Sequence, residues 1–141
     1  MGCFDCHPDR VEEADVVTAY WRNYRLTSSA GRSDRLAADA DHWAWEEVRA
    51  VALGETPGTD ADAIALFVAL ADAAPDDLAL CYLGAGAVED YLTSGSEPDV
   101  NLVDETARRH PGFQTALRCA LFDNHLRPAD AERLRRFGPP L

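Results

Sequence analysis

Apolar residues recur along this chain at intervals of three and four, and no stretch of four or more alternates cleanly, so the pattern predicts helices throughout and an all-α fold. The first helix is expected from Arg10 to Tyr24, where Val17, Tyr20, Trp21 and Tyr24 share one face and acids occupy the other. "RLTSSAGRSD", residues 25–34, reads as a polar loop, because Ser and Thr compete for local hydrogen bonds and Gly adds backbone freedom. A second helix covers 40–53, entered from Asp39 or Asp41 as a cap and stopped by Gly54, with Trp45, Val48 and Ala52 on its stripe and Ala44 and Val51 at the edge. The third, 60–74, is capped by Thr59 or Asp60 and ends before Pro75. Ile64, Phe67, Val68 and Ala71 form its core face, yet it is apolar almost all round, which predicts contacts on two sides.

Residues 76–95 form a helix interrupted by Gly84 and Gly86. Each glycine costs about 1 kcal/mol relative to alanine inside a helix, so a bend, a break or very close packing is expected there. A fifth helix begins near Asp99 and ends before Pro111, with Asp104–Arg108 and Glu105–Arg109 in the favourable acid-before-base order. "GFQTALRCALF" and "RPADAERLRRF" supply two more, the last running from Pro128 to Gly138. Six or seven short helices with short connections imply antiparallel neighbours, as an irregular bundle or a HEAT-like α-α stack. The expected organisation is a flexible N-terminal segment 1–9, a single helical domain 10–138 and a C-terminal tail 139–141.

A chain of 141 residues buries roughly 70% of its unfolded surface on folding and needs no disulfide staples. Its four cysteines are few, and Cys81 and Cys119 sit inside helical patterns, so reduced thiols are expected. The acidic first fifteen residues do not resemble a signal peptide, and no apolar run approaches 18 residues; both point to a soluble cytoplasmic protein. Charge changes the picture most. Lysine is absent, and residues 39–105 carry Arg49 alone against sixteen acids, while the last 36 residues are net basic. Such a middle repels phosphate backbones, which argues against direct nucleic-acid binding through that face and favours a basic protein partner; solubility alone is the plainer explanation.

Candidate chemistry is sparse. Cys3, Cys6 and His7, in "CFDCH", have the Cys-x-x-Cys-His form of covalent haem attachment and the spacing of half a zinc site. No export signal accompanies the first, and no second ligand pair completes the second, so an N-terminal tail with no specific role is the simpler reading. "GAG" at 84–86 lacks the preceding strand and following lysine of a phosphate cradle. Glu46–Glu47 and Glu89–Asp90 are sequence neighbours on helices and diverge by about 100°, which does not suit an acid–base pair. The serines have no nucleophile-elbow context, and His110 reads as a helix C-terminal residue.

"HWAWEEV", "ALCYLGAGAVEDYL" and "ARRHPGFQTALR" together resemble a family of small bacterial α-helical domains of unknown function, with the order W-A-W-E-x-V, G-A-G-P-L-E-D-L-L, A-R-R-x-P-x-F over residues 42–119. The chain departs from it at Ala87-Val88 and at Tyr91. The resemblance implies a helical fold and a shared surface around Trp43, Trp45, Glu46, Glu89, Asp90, Arg108, Arg109 and Phe113, and no activity. From the overlap comes an expected structural clamp, Glu89 and Asp90 against Arg108 and Arg109. The leading functional expectation is a small acidic cytoplasmic interaction protein, non-enzymatic, that binds a basic partner through Trp43, Trp45, Glu46, Glu47, Glu89 and Asp90. An immunity protein or antitoxin is one form of it. The alternatives are a small enzyme or enzyme accessory with a pocket lined by Trp43, Trp45, Tyr82 and Tyr91, with His42 or a carboxylate as acid–base group, and metal binding, zinc in particular, through Cys3, Cys6 and His7.

Overall fold

The computed structural model describes residues 12–28, 31–94 and 97–141, so the expectations for segment 1–9 and for Cys3, Cys6 and His7 lie outside the described residues. Helix α1 spans Glu13–Thr27, α2 Arg32–Ala38 and α3 His42–Ala52, the last two joined by a tight turn at Asp39–Asp41. Next come α4 (Asp60–Asp72), α5 (Asp77–Leu83), a π-turn (Gly84–Val88) and α6 (Glu89–Thr93), the last three as one continuous run. Helices α7 (Val100–Arg109), α8 (Pro111–Cys119) and α9 (Pro128–Arg135) complete the chain. Counting α2 through α3 as one run and α5 through α6 as another, the described residues hold seven helical runs and no strand, the all-α organisation expected from the periodicity.

Local chemistry explains most of the boundaries. At the end of α3, Gly54 takes a left-handed conformation (φ 73°), and its N–H and that of Glu55 reach back to the carbonyls of Val51 and Ala50. This is the paired closure that glycine permits at a helix C-terminus. Asp76 and Asp99 accept hydrogen bonds from the N–H groups of Ala79 and Leu102, capping α5 and α7. His110 both closes α7 and opens α8, ahead of Pro111 at the first helical position.

The loop expected at 25–34 is narrower than its composition implies. Helix α1 continues to Thr27 and α2 starts at Arg32. Tertiary contact overrides propensity here: Ala38 is buried, and its carbonyl accepts a hydrogen bond from the buried Asn23 amide of α1 at 2.9 Å. Asp41, expected as a cap, instead accepts both guanidinium nitrogens of Arg22 at 2.6 Å, which ties the 39–41 turn to α1. That partner holds the Asp41 carboxyl below the usual carboxylate range.

Helix α4 runs through the middle of the fold. Ala63, Ile64, Leu66, Phe67, Leu70 and Ala71 are all buried, and α4 touches α1, α3, α5, α7 and α8. The Trp21 indole N–H of α1 donates to the Leu70 carbonyl at 2.9 Å. The other main contacts pair α1 with α3 and α5 with α8. Helix α8 therefore packs beside α4 and α5, elements that precede it by more than 25 residues, which is the connectivity of an irregular bundle rather than of sequentially stacked hairpins.

Only one of the two glycines in 84–86 is explained by packing. A Cβ on Gly84 would lie 1.8 Å from the Ala116 carbonyl oxygen, whereas one on Gly86 would meet nothing within 4 Å. The backbone of the π-turn thus sits directly on α8, and the disruption of the regular helix falls at that contact.

The expectation of reduced thiols is overturned at Cys81 and Cys119, which form a disulfide between α5 and α8. Their separation of 38 residues hides the pairing until the two helices dock. The tail is also held: Arg118 donates from Nε to the Pro139 carbonyl, and its own carbonyl accepts the Leu141 N–H.

Candidate functional site

A groove of about 720 Å³ lies between the start of α1, the end of α3, the start of α4, and Tyr91, Ser94 and Glu97. Among the described residues six carboxylates line it, from Glu12, Glu13, Glu47, Asp60, Asp62 and Glu97, and no arginine does. Local folding rules place them. Gly54 ends α3 and turns the chain, Gly58 adopts a positive φ of 149°, and Thr59 then starts α4. Thr59 and Asp62 form a reciprocal capping box: the Asp62 N–H donates to Thr59 Oγ1 at 3.2 Å, and the Thr59 N–H donates to Asp62 Oδ2 at 2.8 Å. The Thr59 N–H and hydroxyl, both donating to Asp62 Oδ2, hold the Asp62 carboxyl below its usual range. Replacing Thr59 by alanine is expected to cost about 1 kcal/mol, read from urea unfolding.

Tyr91 crosses the floor of the groove. Its ring packs edge-on to Phe67, its hydroxyl donates to Asp60 Oδ1 at 3.0 Å, and the same oxygen accepts the Asp99 N–H at 2.9 Å. Burial raises its phenol well above the ordinary value, the Asp99 N–H opposes that, and the Asp60 carboxylate adds to the rise. Glu97 is paired with Arg127. Glu12, Glu13 and Glu47 have no side-chain hydrogen bond or ion pair among the described residues. The C-terminal end of α3 and the N-terminal ends of α1 and α4 all face this groove, so the helix dipoles add no net negative charge and the carboxylates set its sign. The arrangement attracts cations and repels anions.

The surface residues read from the sequence are dispersed. Glu47 alone lines the groove; Trp43 is exposed, and Glu46 pairs with His42 at 3.0 Å, whose ring stacks on Trp45. Trp45 also lies under the Arg49 guanidinium, while Tyr82 packs against Tyr24 and Tyr20. The expected aromatic pocket is therefore not assembled among the described residues: Tyr91 is their one aromatic in the groove, Tyr82 belongs to the cluster around Tyr24, and Trp45 lies between His42 and Arg49. Burial raises the Asp90 carboxyl, partly offset by Arg49, with Glu89 reinforcing the rise.

The expected clamp has other partners. Glu89 Oε1 accepts the Leu121 N–H at 2.7 Å, so it fixes the chain beyond α8. Arg108 pairs with Asp104 at 2.9 Å, the i,i+4 pair legible in the sequence. Asp104 is 1% exposed and also receives Arg133 and Arg136, which makes it the tie between α7 and α9. Burial pushes its carboxyl up, but the hydrogen bonds and charges of Arg108 and Arg133 outweigh burial and hold it below the usual range. Two residues of the groove, Glu12 and Glu13, belong to the acidic face of the first helix; nothing in their own neighbourhood pairs them with residues 47–62.

Among the described residues no group of three or more His, Cys, Asp or Glu could hold a metal ion. No described helix is long and apolar enough to cross a membrane. Comparison with protein-family models, with curated proteins and with solved structures finds no match, so the family resemblance adds nothing to the reading of the site.

Proposed function

We propose that this chain is a non-catalytic interaction module that takes a basic segment of a protein partner into the carboxylate groove. An immunity protein or antitoxin that masks a basic toxin is one such module. The observation that carries the reading is the imbalance of the groove among the described residues: six lining carboxylates, no lining arginine, and three glutamates without a partner. Desolvating unpaired carboxylates is costly unless a cation arrives with the surface that covers them, which favours arginine or lysine side chains over neutral ones. Cytoplasmic action belongs to the same proposal, and trapping the thiols by alkylation during cell lysis tests it, since a reducing pool leaves Cys81 and Cys119 open.

The direct test titrates the protein with a synthetic arginine-rich peptide and with its glutamine counterpart. Binding of the arginine peptide is expected to weaken as salt rises. Combining Glu12→Gln, Glu13→Gln and Glu47→Gln is expected to lower affinity about tenfold. Neutralising Asp72 and Glu105, which do not line the groove, should leave it unchanged. Equal affinity of the two variants, or equal binding of the two peptides, would sink the proposal.

A further inference from the structure

We infer that the carboxylate groove reads the stem of a cation as well as its charge: the segment it takes is bound through extended arginine side chains, and Val51 sets the preference for a long stem. This rests on the reading of the groove as a site for a basic segment, and adds a requirement that charge alone does not impose. The repeated order of acid and apolar residue around the groove carries it. Each of the three helices that wall the groove sets a carboxylate one turn ahead of an apolar residue. Glu12 caps α1 four positions before Val16, whose N–H donates to the Glu12 carbonyl. Glu47 precedes Val51 on α3, and Asp62 precedes Leu66 on α4, by the same four positions. Residues so spaced share one face of a helix, and all six line the groove. Val16 and Leu66 are buried, whereas Val51 is half-buried and offers the larger share of its surface.

That order matches the anatomy of arginine, whose guanidinium stands at the end of a three-carbon stem, so that its apolar and charged parts are separated by roughly the 5.4 Å of one helical turn. A segment laid across these helices covers the apolar residues with its stems while its heads reach the carboxylates. Glu47 and Val51 form the pair best placed for it: Glu47 has no side-chain partner among the described residues, and Val51 follows it by one turn. Asp62 keeps one oxygen for a cation, since Thr59 donates to Oδ2 only. A cation on a short stem satisfies the carboxylates and leaves the apolar surface wet.

The test titrates the full chain with three peptides: the arginine-rich one, its glutamine counterpart, and the same peptide built from 2-amino-3-guanidinopropionate, which carries the same charge on a one-carbon stem. The arginine peptide is expected to bind about tenfold more tightly than the short-stemmed one, and the short-stemmed one more tightly than the glutamine peptide. Val51→Thr keeps the shape of valine and adds a hydroxyl; it is expected to bring the tenfold ratio down to about threefold, with the urea midpoint showing that the variant is folded. Val51→Ala shifts the ratio in the same direction and serves if the threonine variant does not fold. Equal binding of the two guanidinium peptides, or an unchanged ratio in the folded Val51 variants, overturns the inference and leaves the basic segment in place. Equal binding of the arginine and glutamine peptides overturns both.

Discussion

Gly84→Ala is expected to destabilise the protein by about 3 kcal/mol, the upper part of the range for forcing atoms into a packed interior. The added Cβ would lie 1.8 Å from the Ala116 carbonyl oxygen and 2.7 Å from its carbonyl carbon. Those are backbone atoms of a buried helix, so no side-chain rotation relieves the contact and α8 must move away from the π-turn. The core residues between them then lose contacts on both sides. Gly86→Ala is the internal control: it meets nothing within 4 Å, so the helix-forming gain of alanine, up to about 1 kcal/mol, is unopposed by sterics. Urea unfolding of the two variants should move the midpoint in opposite directions or leave Gly86→Ala level. Equal losses at both positions would show that helix propensity, and not the approach to Ala116, sets the requirement for glycine.

The second large effect is expected at Asp104. This carboxylate is buried, yet Arg108 and Arg136 are more than half exposed and Arg133 about one-third exposed. Asp104→Ala leaves the three guanidinium groups free to turn toward water, so the loss is about 2 kcal/mol rather than the larger value of a fully buried pair. The pH dependence gives a sharper readout. Because the folded carboxyl is held below its unfolded value, it binds fewer protons when folded, and its stabilisation is complete above the unfolded pKa of about 4. That contribution falls away as pH drops through the depressed folded value. The stability gap between the protein and Asp104→Asn should be constant from pH 5 to 7 and shrink below pH 4. A gap that persists unchanged at acid pH would assign the role of Asp104 to shape and neutral hydrogen bonding. Asp41, Asp62 and Asp123 have depressed carboxyls of their own, so the comparison must be made between variants and not from one acid titration.

Much of the helix order was legible because it rests on neighbours in sequence. The stop at Gly54, the capping box of Thr59, the start at Pro128 and the Asp104–Arg108 pair all involve residues no more than five apart. The stripe of α3 and the wide apolar surface of α4 followed from period: Val48, Ala52, Ile64, Phe67 and Ala71 are buried, Trp45 and Val68 are half-buried, and Ala44, read as an edge residue, is fully buried. Helix α2 was missed because its reason is remote: the Ala38 carbonyl meets Asn23, fifteen residues away. The candidate site was legible only as an excess of acid in 39–105. The sequence carried no sign that Glu12 and Glu13 would join it, or that Glu89 and Asp90 would stand elsewhere.

Charge and periodicity, both readable one residue at a time, determined that this protein is acidic and all-helical with most of its helix ends in place. Which helices touch was decided in three dimensions. Periodicity says which face of a helix is apolar and is silent about the partner that covers it, since hydrophobic burial is non-directional. The pairing of α5 with α8 therefore decided what Gly84 is for, that Cys81 meets Cys119, and that Glu89 holds Leu121 instead of an arginine. The meeting of α1, α3 and α4 likewise gathered carboxylates up to 85 positions apart into one groove, from Glu12 to Glu97.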